Sequence, residues 1–207
     1  MATTSTKICN YALEYIGRRT IASLTESSRE AKVCNTFYDM ARQSVLRDHK
    51  WGFATRSITL AAVTATDYVG WDYAYTYPTD ALYADKIYTG SSTSTTTVGL
   101  AQITGHIPFT IESNEAKNKK YVLTNQEEAV LIYTADATEE NLFDSLFIEA
   151  LSYKIAATII IPLKAELSLQ QQMNQLYGMA IAKAKASDSN ERYEEPTDDN
   201  SILNARL

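Results

Sequence analysis

An α+β fold is predicted: a helical bundle of about four helices, interrupted by an inserted antiparallel β-rich lobe and followed by an extended C-terminal tail. Three observations predict it. Apolar residues recur at helical spacing near both ends of the chain. Between them, residues 52–133 are rich in Thr, Tyr, Val and Ile with Gly and Pro punctuation, which is strand composition. The chain closes on "ERYEEPTDDNSILNARL", acidic and broken by a proline. The expected units are therefore a bundle of residues 1–51 and 138–186, a lobe of 52–137, and a tail of 187–207.

The first helix is expected over residues 5–16, where Ile8, Ala12, Leu13 and Ile16 share a face and Gly17 stands at the position of a left-handed cap. A loop, "RRTIASLTE", leads to Ser27 and Glu30, which have capping-box spacing. The second helix then runs to about residue 51. Cys34, Phe37, Tyr38, Ala41, Val45 and Leu46 form its apolar face, with Arg29, Lys32, Arg42 and Arg47 expected off it. In the lobe, "RSITLAAV", "YAYTYP", "ADKIYTG" and "HIPFTIES" read as strands, and "YVLT" with "AVLIYT" as a hairpin turning at residues 125–128. "GSSTSTTTVG" is a low-complexity polar loop. These short strands predict an antiparallel sheet. Helix returns with Thr138 as N-cap and Glu139 and Glu140 in the first turn. It continues through Leu142, Phe143, Leu146, Phe147, Ala150, Leu151, Ala156, Ile159 and Ile160 until Pro162 interrupts it. The last helix spans about residues 164–186, with Leu167, Met173, Leu176, Tyr177, Ala180 and Ile181 at helical intervals.

Hydrophobic residues make up 45% and charged residues 21% of the chain, a globular composition. Asp and Glu outnumber Lys and Arg by 25 to 19, which argues against a surface that wraps nucleic acid. A channel through which DNA slides without being gripped is compatible with that balance. The N-terminus lacks a basic region followed by a long apolar run, so no secretory signal is expected. "IAATIIIPL" is shorter than a membrane span, so no membrane is expected. Cys9 and Cys34 are expected to be free buried thiols.

Residue patterns for chemistry are sparse. The seven glycines form no phosphate-binding or dinucleotide loop, and no Gly-x-Ser-x-Gly elbow occurs. His49 is placed late in the second helix, where a cation suits the dipole. His106 has no partner visible in sequence. Glu127–Glu128 and Glu139–Glu140 are adjacent acids at a turn and a helix start, a common solvated feature rather than a glycosidase pair. No catalytic residue, cofactor or metal site is expected. Tyr68, Tyr73, Tyr75, Tyr77, Tyr83, Tyr88 and Trp71 crowd one short region. They suit a stacking platform for sugars or bases, but better the filling of a small sheet core and a contact with other subunits or the tail, carried by Tyr73, Tyr75 and Tyr77.

The segment "ALEYIGRRTIASLTESSREAKVCNTFYDMARQSVLRDHKWGFATR" resembles the amino-terminal part of the head-to-tail adaptor proteins of short-tailed bacteriophages, the tail tubular protein A type. The carrying residues are Ile16–Gly17, the run from Glu26 to Ala31, the run from Phe37 to Arg42, and the run from Val45 to Ala54. "YTYPTDAL", "AVLIYTADATEENLFDSLFIEALSYKIA" and "AKASDSNERYEEPTDDNSILNAR" continue it in order; residues 90–119 do not match.

The resemblance implies a non-enzymatic virion protein, made in the host cytoplasm and placed at the head–tail junction. Such proteins form a ring, typically of twelve copies, between the portal protein and the tail nozzle, with DNA passing through the middle. It also implies portal docking by the tail, and here Ile202, Leu203, Ala205, Arg206 and Leu207 are the expected anchor. Between residues 187 and 200 the acids Asp188, Glu191, Glu194, Glu195, Asp198 and Asp199 face one base, Arg192, and Pro196 blocks helix propagation. The tail is therefore expected to stay extended until it binds. Cell-wall hydrolysis and the binding of tail fibres are the alternative functions.

Overall fold

The computed structural model describes residues 3–64, 68–89, 107–114, 119–164 and 166–191. It is an α+β fold of four α-helices and two antiparallel sheets among those residues. The chain order is α1 (Ser5–Tyr15), α2 (Arg29–Arg47), a 3-10 turn (Gly52–Ala54), β1 (Thr55–Thr59), β2 (Tyr73–Thr76), β3 (Ala81–Thr89), β4 (Phe109–Asn114), β5 (Lys119–Thr124), β6 (Ala129–Ala135), a second 3-10 turn (Glu140–Leu142), α3 (Ser145–Lys164) and α4 (Leu167–Asn190).

Side-chain caps define the starts of α1, α2 and α3. Thr4 accepts from the Lys7 amide at 3.2 Å to begin α1. At its other end, the Gly17 amide bonds the Glu14 carbonyl and the Arg18 amide bonds the Leu13 carbonyl, at 3.0 and 2.8 Å. With Gly17 at φ 63°, this is the left-handed cap expected from the sequence. The cap of α2 is Ser28 rather than Ser27: its hydroxyl accepts from the Ala31 amide at 3.2 Å and donates to Glu26. Asp144, not Thr138, serves α3, its carboxylate accepting from the Leu146 amide at 2.8 Å.

Helix α3 is the axis of the bundle and packs against α1, α2 and α4. Among the described residues it is the one helix long and apolar enough to cross a membrane. Phe147, Ala150, Leu151, Ile155, Ala156, Ile159 and Ile160 are buried against the surrounding helices, as in the core helix of a bundle. Pro162 does not end it. The proline sits in the last turn, where a missing amide costs one hydrogen bond. Two arginines complete the end: Arg29 donates to the Pro162 carbonyl at 2.5 Å and Arg18 to the Leu163 carbonyl at 3.3 Å. Cys9 and Cys34 are free and buried in the same core. Contact with the Cys34 thiol, together with burial, pushes the Cys9 thiol up and keeps it protonated.

The lobe holds two three-stranded sheets, ordered β1-β6-β3 and β2-β5-β4. The chain changes sheets after β1. Leu60 still donates to the Ala129 carbonyl of the first sheet at 2.9 Å, whereas Val63 donates to Ala74 at 2.8 Å and Ala61 accepts from Thr76 at 2.9 Å in the second. The expected hairpin of residues 121–134 is corrected. Strands β5 and β6 belong to different sheets, and residues 125–128 carry the chain across, with Glu128 at φ 52°. The physical reason is burial on both sides of β5, where Tyr121, Val122, Leu123 and Thr124 are all buried. Val122 enters a core shared by the two sheets with Leu60, Tyr75, Ile87, Leu131 and Tyr133. Tyr121 and Leu123 enter a smaller cluster with Ala74, Trp71, Tyr68 and Val63.

Candidate functional site

The motif residues converge on the junction between bundle and lobe. Arg42 has the longest reach. It follows Ala41 on the inner side of α2 and is 2% exposed, so the expectation that it stays off the apolar face is corrected. Its guanidinium donates to Asp136 at 2.5 Å, to the Ala137 carbonyl at 2.6 Å and to Asp39 at 3.2 Å. Gln43 donates to the other Asp136 oxygen at 2.8 Å. A buried cation is tolerated because these acceptors replace its water. The contact ties α2 to the segment that follows β6. That segment is tied in turn to the start of β3, because the Asp136 amide donates to the Asp80 carbonyl at 2.7 Å.

Residues 47–54 form the second connection. Helix α2 ends at Arg47, short of the expected residue 51, and the turn that follows is held from three sides. Arg47 donates to the Leu82 carbonyl, Lys50 pairs with Asp85 of β3, and Asp48 accepts from the Tyr177 hydroxyl of α4. His49 is therefore beyond the helix. Its Nε2 lies 3.0 Å from an Asp188 oxygen, and its ring packs edge-on against Trp51. The other Asp188 oxygen accepts from the Gly52 amide at 2.9 Å. Trp51 is 1% exposed, donates to the Val45 carbonyl at 2.9 Å, and heads an aromatic group with Phe53, Phe143 and Phe147.

The Asp188 contacts explain a second boundary correction. Residues 187–190, expected to begin the tail, form the last turn of α4, because Asp188 anchors that turn to residues 49 and 52. Ile202, Leu203, Ala205, Arg206 and Leu207 lie outside the described residues, as does His106.

The three tyrosines named from sequence lie in the lobe core. Tyr75 is 3% exposed and donates to the Gln126 carbonyl at 2.9 Å, so it fills the sheet core. Tyr73 stacks on Tyr75, and both Tyr73 and Tyr77 pack half-buried against the same cluster. The more exposed tyrosine of the lobe is Tyr83 on β3. Glu127 and Glu128 stand exposed at the sheet crossing, and Glu139 is exposed before the second 3-10 turn. A cleft of about 320 Å³ beside Gly52 and Phe53 brings Asp144, Asp188 and Glu191 together. There Asp144 caps α3 and Asp188 holds residues 49 and 52, so both have structural tasks. Among the described residues, no three His, Cys, Asp or Glu side chains are grouped to hold a metal ion.

Burial, above all, raises the phenol pKa of Tyr38, Tyr77, Tyr133 and Tyr177, and it pushes Tyr15, which stacks on Tyr153, up to about 12. Tyrosines of an unfolded chain lose their protons near pH 10. Above that pH the unfolded chain binds fewer protons than the folded one, so stability falls as pH rises. The midpoint of urea unfolding is expected to hold up to about pH 9–10 and to drop progressively through about pH 12. Phe replacements at Tyr38 and Tyr177 flatten that drop; a profile that is flat without them would contradict the burial of these phenols.

No protein-family model matches the chain, and no curated protein matches it.

Proposed function

We propose that this chain is a structural head-to-tail adaptor of a short-tailed phage virion. Copies of it, twelve by the resemblance, form a ring between the portal protein and the tail nozzle, and DNA passes through the centre without specific binding. The observation that carries this reading is where the motif residues go. Arg29 closes the end of α3, Arg42 and Asp136 join bundle to lobe, and His49, Trp51 and Phe53 pack the junction. The most distinctive polar side chains of the resemblance thus serve a rigid two-part subunit, which is what a ring component under load requires. Exposed apolar residues on both parts, such as Met40 and Met179 on the bundle and Tyr83 on the lobe, supply two different faces for the heterologous contacts of a ring.

Portal attachment is assigned to the C-terminal tag. Ile202, Leu203 and Leu207 bury apolar surface worth roughly 1.5–3 kcal/mol for each fully buried side chain, and Arg206 adds a charge-assisted bond. Ordering entropy offsets much of that for one tail, while many tails around a ring act together. Deleting residues 196–207 is expected to leave the circular dichroism of the bundle unchanged and to abolish co-sedimentation with portal. Undiminished binding of the truncated chain would sink the anchoring role. Peptidoglycan cleavage on zymograms, lost when a single carboxylate is replaced, would overturn the adaptor reading in favour of a hydrolase.

A further inference from the structure

The lobe carries a basic, aromatic cleft in a chain whose net charge is −6. Its volume is about 490 Å³ and its walls include Tyr77, Pro78, Lys119, Lys120 and Tyr121. The register of β2 and β5 builds it. Thr76 faces Tyr121 across the ladder, and the Tyr77 amide donates to the Lys120 carbonyl at 3.2 Å, so the chain leaving β2 lies alongside the lysine end of β5. The Lys120 ammonium sits 5.7 Å from the centre of the Tyr77 ring. The Tyr77 ring and Pro78 thus make an apolar wall, and two exposed lysines stand beside it.

We propose that this cleft receives the acidic segment 194–199 of its own chain. The sequence there is Glu-Glu-Pro-Thr-Asp-Asp: four carboxylates around one proline. Pro196 suits the wall of Tyr77 and Pro78, since proline docks on aromatic surfaces with little entropy to lose. Glu194, Glu195, Asp198 and Asp199 suit the two lysines. The place where the segment begins favours the same chain. Helix α4 ends beside His49 and Gly52, to which Asp188 is bonded. A few residues away, Arg47 reaches Leu82 in β3, and its charge acts on the Tyr77 phenol. The root of the segment and the cleft therefore flank one junction, and the eight residues after Glu191 reach about 26 Å when extended. Seated there, the segment sets the point from which residues 202–207 leave the subunit. The inference does not depend on what those last residues bind.

The test uses the full chain carrying Thr197→Cys labelled with a benzophenone; Cys9 and Cys34 are fully buried, so the new thiol takes the label. Irradiation of a mixture of isotopically heavy and light chains, followed by mass spectrometry, maps the cross-links. They are expected within single chains, at residues 76–81 and 119–121. The yield is expected to fall about tenfold in Lys119→Glu/Lys120→Glu, where two attractions at exposed sites become repulsions, and to fall likewise in high salt. Adding Glu194→Lys/Glu195→Lys to that variant is expected to restore it. Cross-links scattered over the bundle, cross-links joining heavy to light chains, or a yield indifferent to both salt and charge reversal would each overturn the proposal.

Discussion

Replacing Arg42 with Ala is expected to destabilise the chain by about 3 kcal/mol, because the buried Ala137 carbonyl and the partly buried Asp136 carboxylate both lose the donor they share. The guanidinium is 2% exposed and serves Asp136, the Ala137 carbonyl and Asp39 together. Its loss strands a buried carbonyl and leaves the inner Asp136 oxygen without its cation. Arg42→Lys recovers little, since one ammonium cannot reach three acceptors that a planar fork addresses in different directions. At this chain length about 3 kcal/mol corresponds to a fall of roughly 6–12 °C in Tm. Limited proteolysis is expected to cut first near residues 136–144, where the lobe rejoins the bundle. A Tm unchanged in Arg42→Ala would mean that the seam is held by packing alone.

Replacing Trp51 with Ala is expected to cost about 3–5 kcal/mol, the usual range for emptying a buried aromatic site. The indole is 1% exposed, with Phe147 edge-on at 5.0 Å and Phe53 at 6.0 Å between ring centres. The cavity opens beside the turn that holds Asp188, so damage is expected to spread to the last turn of α4. Trp51→Phe keeps most of the ring packing but loses the donor to the Val45 carbonyl, an expected loss of about 0.5–1.5 kcal/mol, because that acceptor keeps the Asp48 amide at 3.2 Å. Denaturant unfolding separates the two variants. Equal stabilities for Phe and Ala at this position would contradict the account of the aromatic group.

The order of helices and strands was legible because local chemistry decides it: stripes of apolar residues at helical spacing, Gly17 at a left-handed cap, and β-branched and aromatic runs in the lobe. What escaped depends on partners far away in sequence. Arg42 looks like a surface arginine until Asp136 and Ala137 are brought to it from the far side of the lobe. Residues 187–190 look like the start of an acidic tail because the anchors of Asp188 lie nearly 140 positions earlier, at His49 and Gly52. The run through residues 121–134 has hairpin spacing, yet β5 pairs with β2 and β4 and meets β6 across the shared core, where Val122 and Leu131 are both buried. Pro162 reads as a stop only if the helix end has no other partners, and Arg18 and Arg29 provide them. In the candidate site, Trp51 and His49 were visible as motif residues, but their task of fastening lobe to bundle needed Asp188, Asp85 and Tyr177, which no local pattern marks.

This subunit is proposed to assemble as a ring on a portal. Electron microscopy of the purified full-length chain, alone and mixed with the portal oligomer of the same virion, tests it most directly. The expected result is a closed cyclic ring stacked coaxially on the portal, with an open channel along the axis. A chain that stays monomeric, or closes as a two-fold dimer, and leaves the portal bare at every ratio would contradict it.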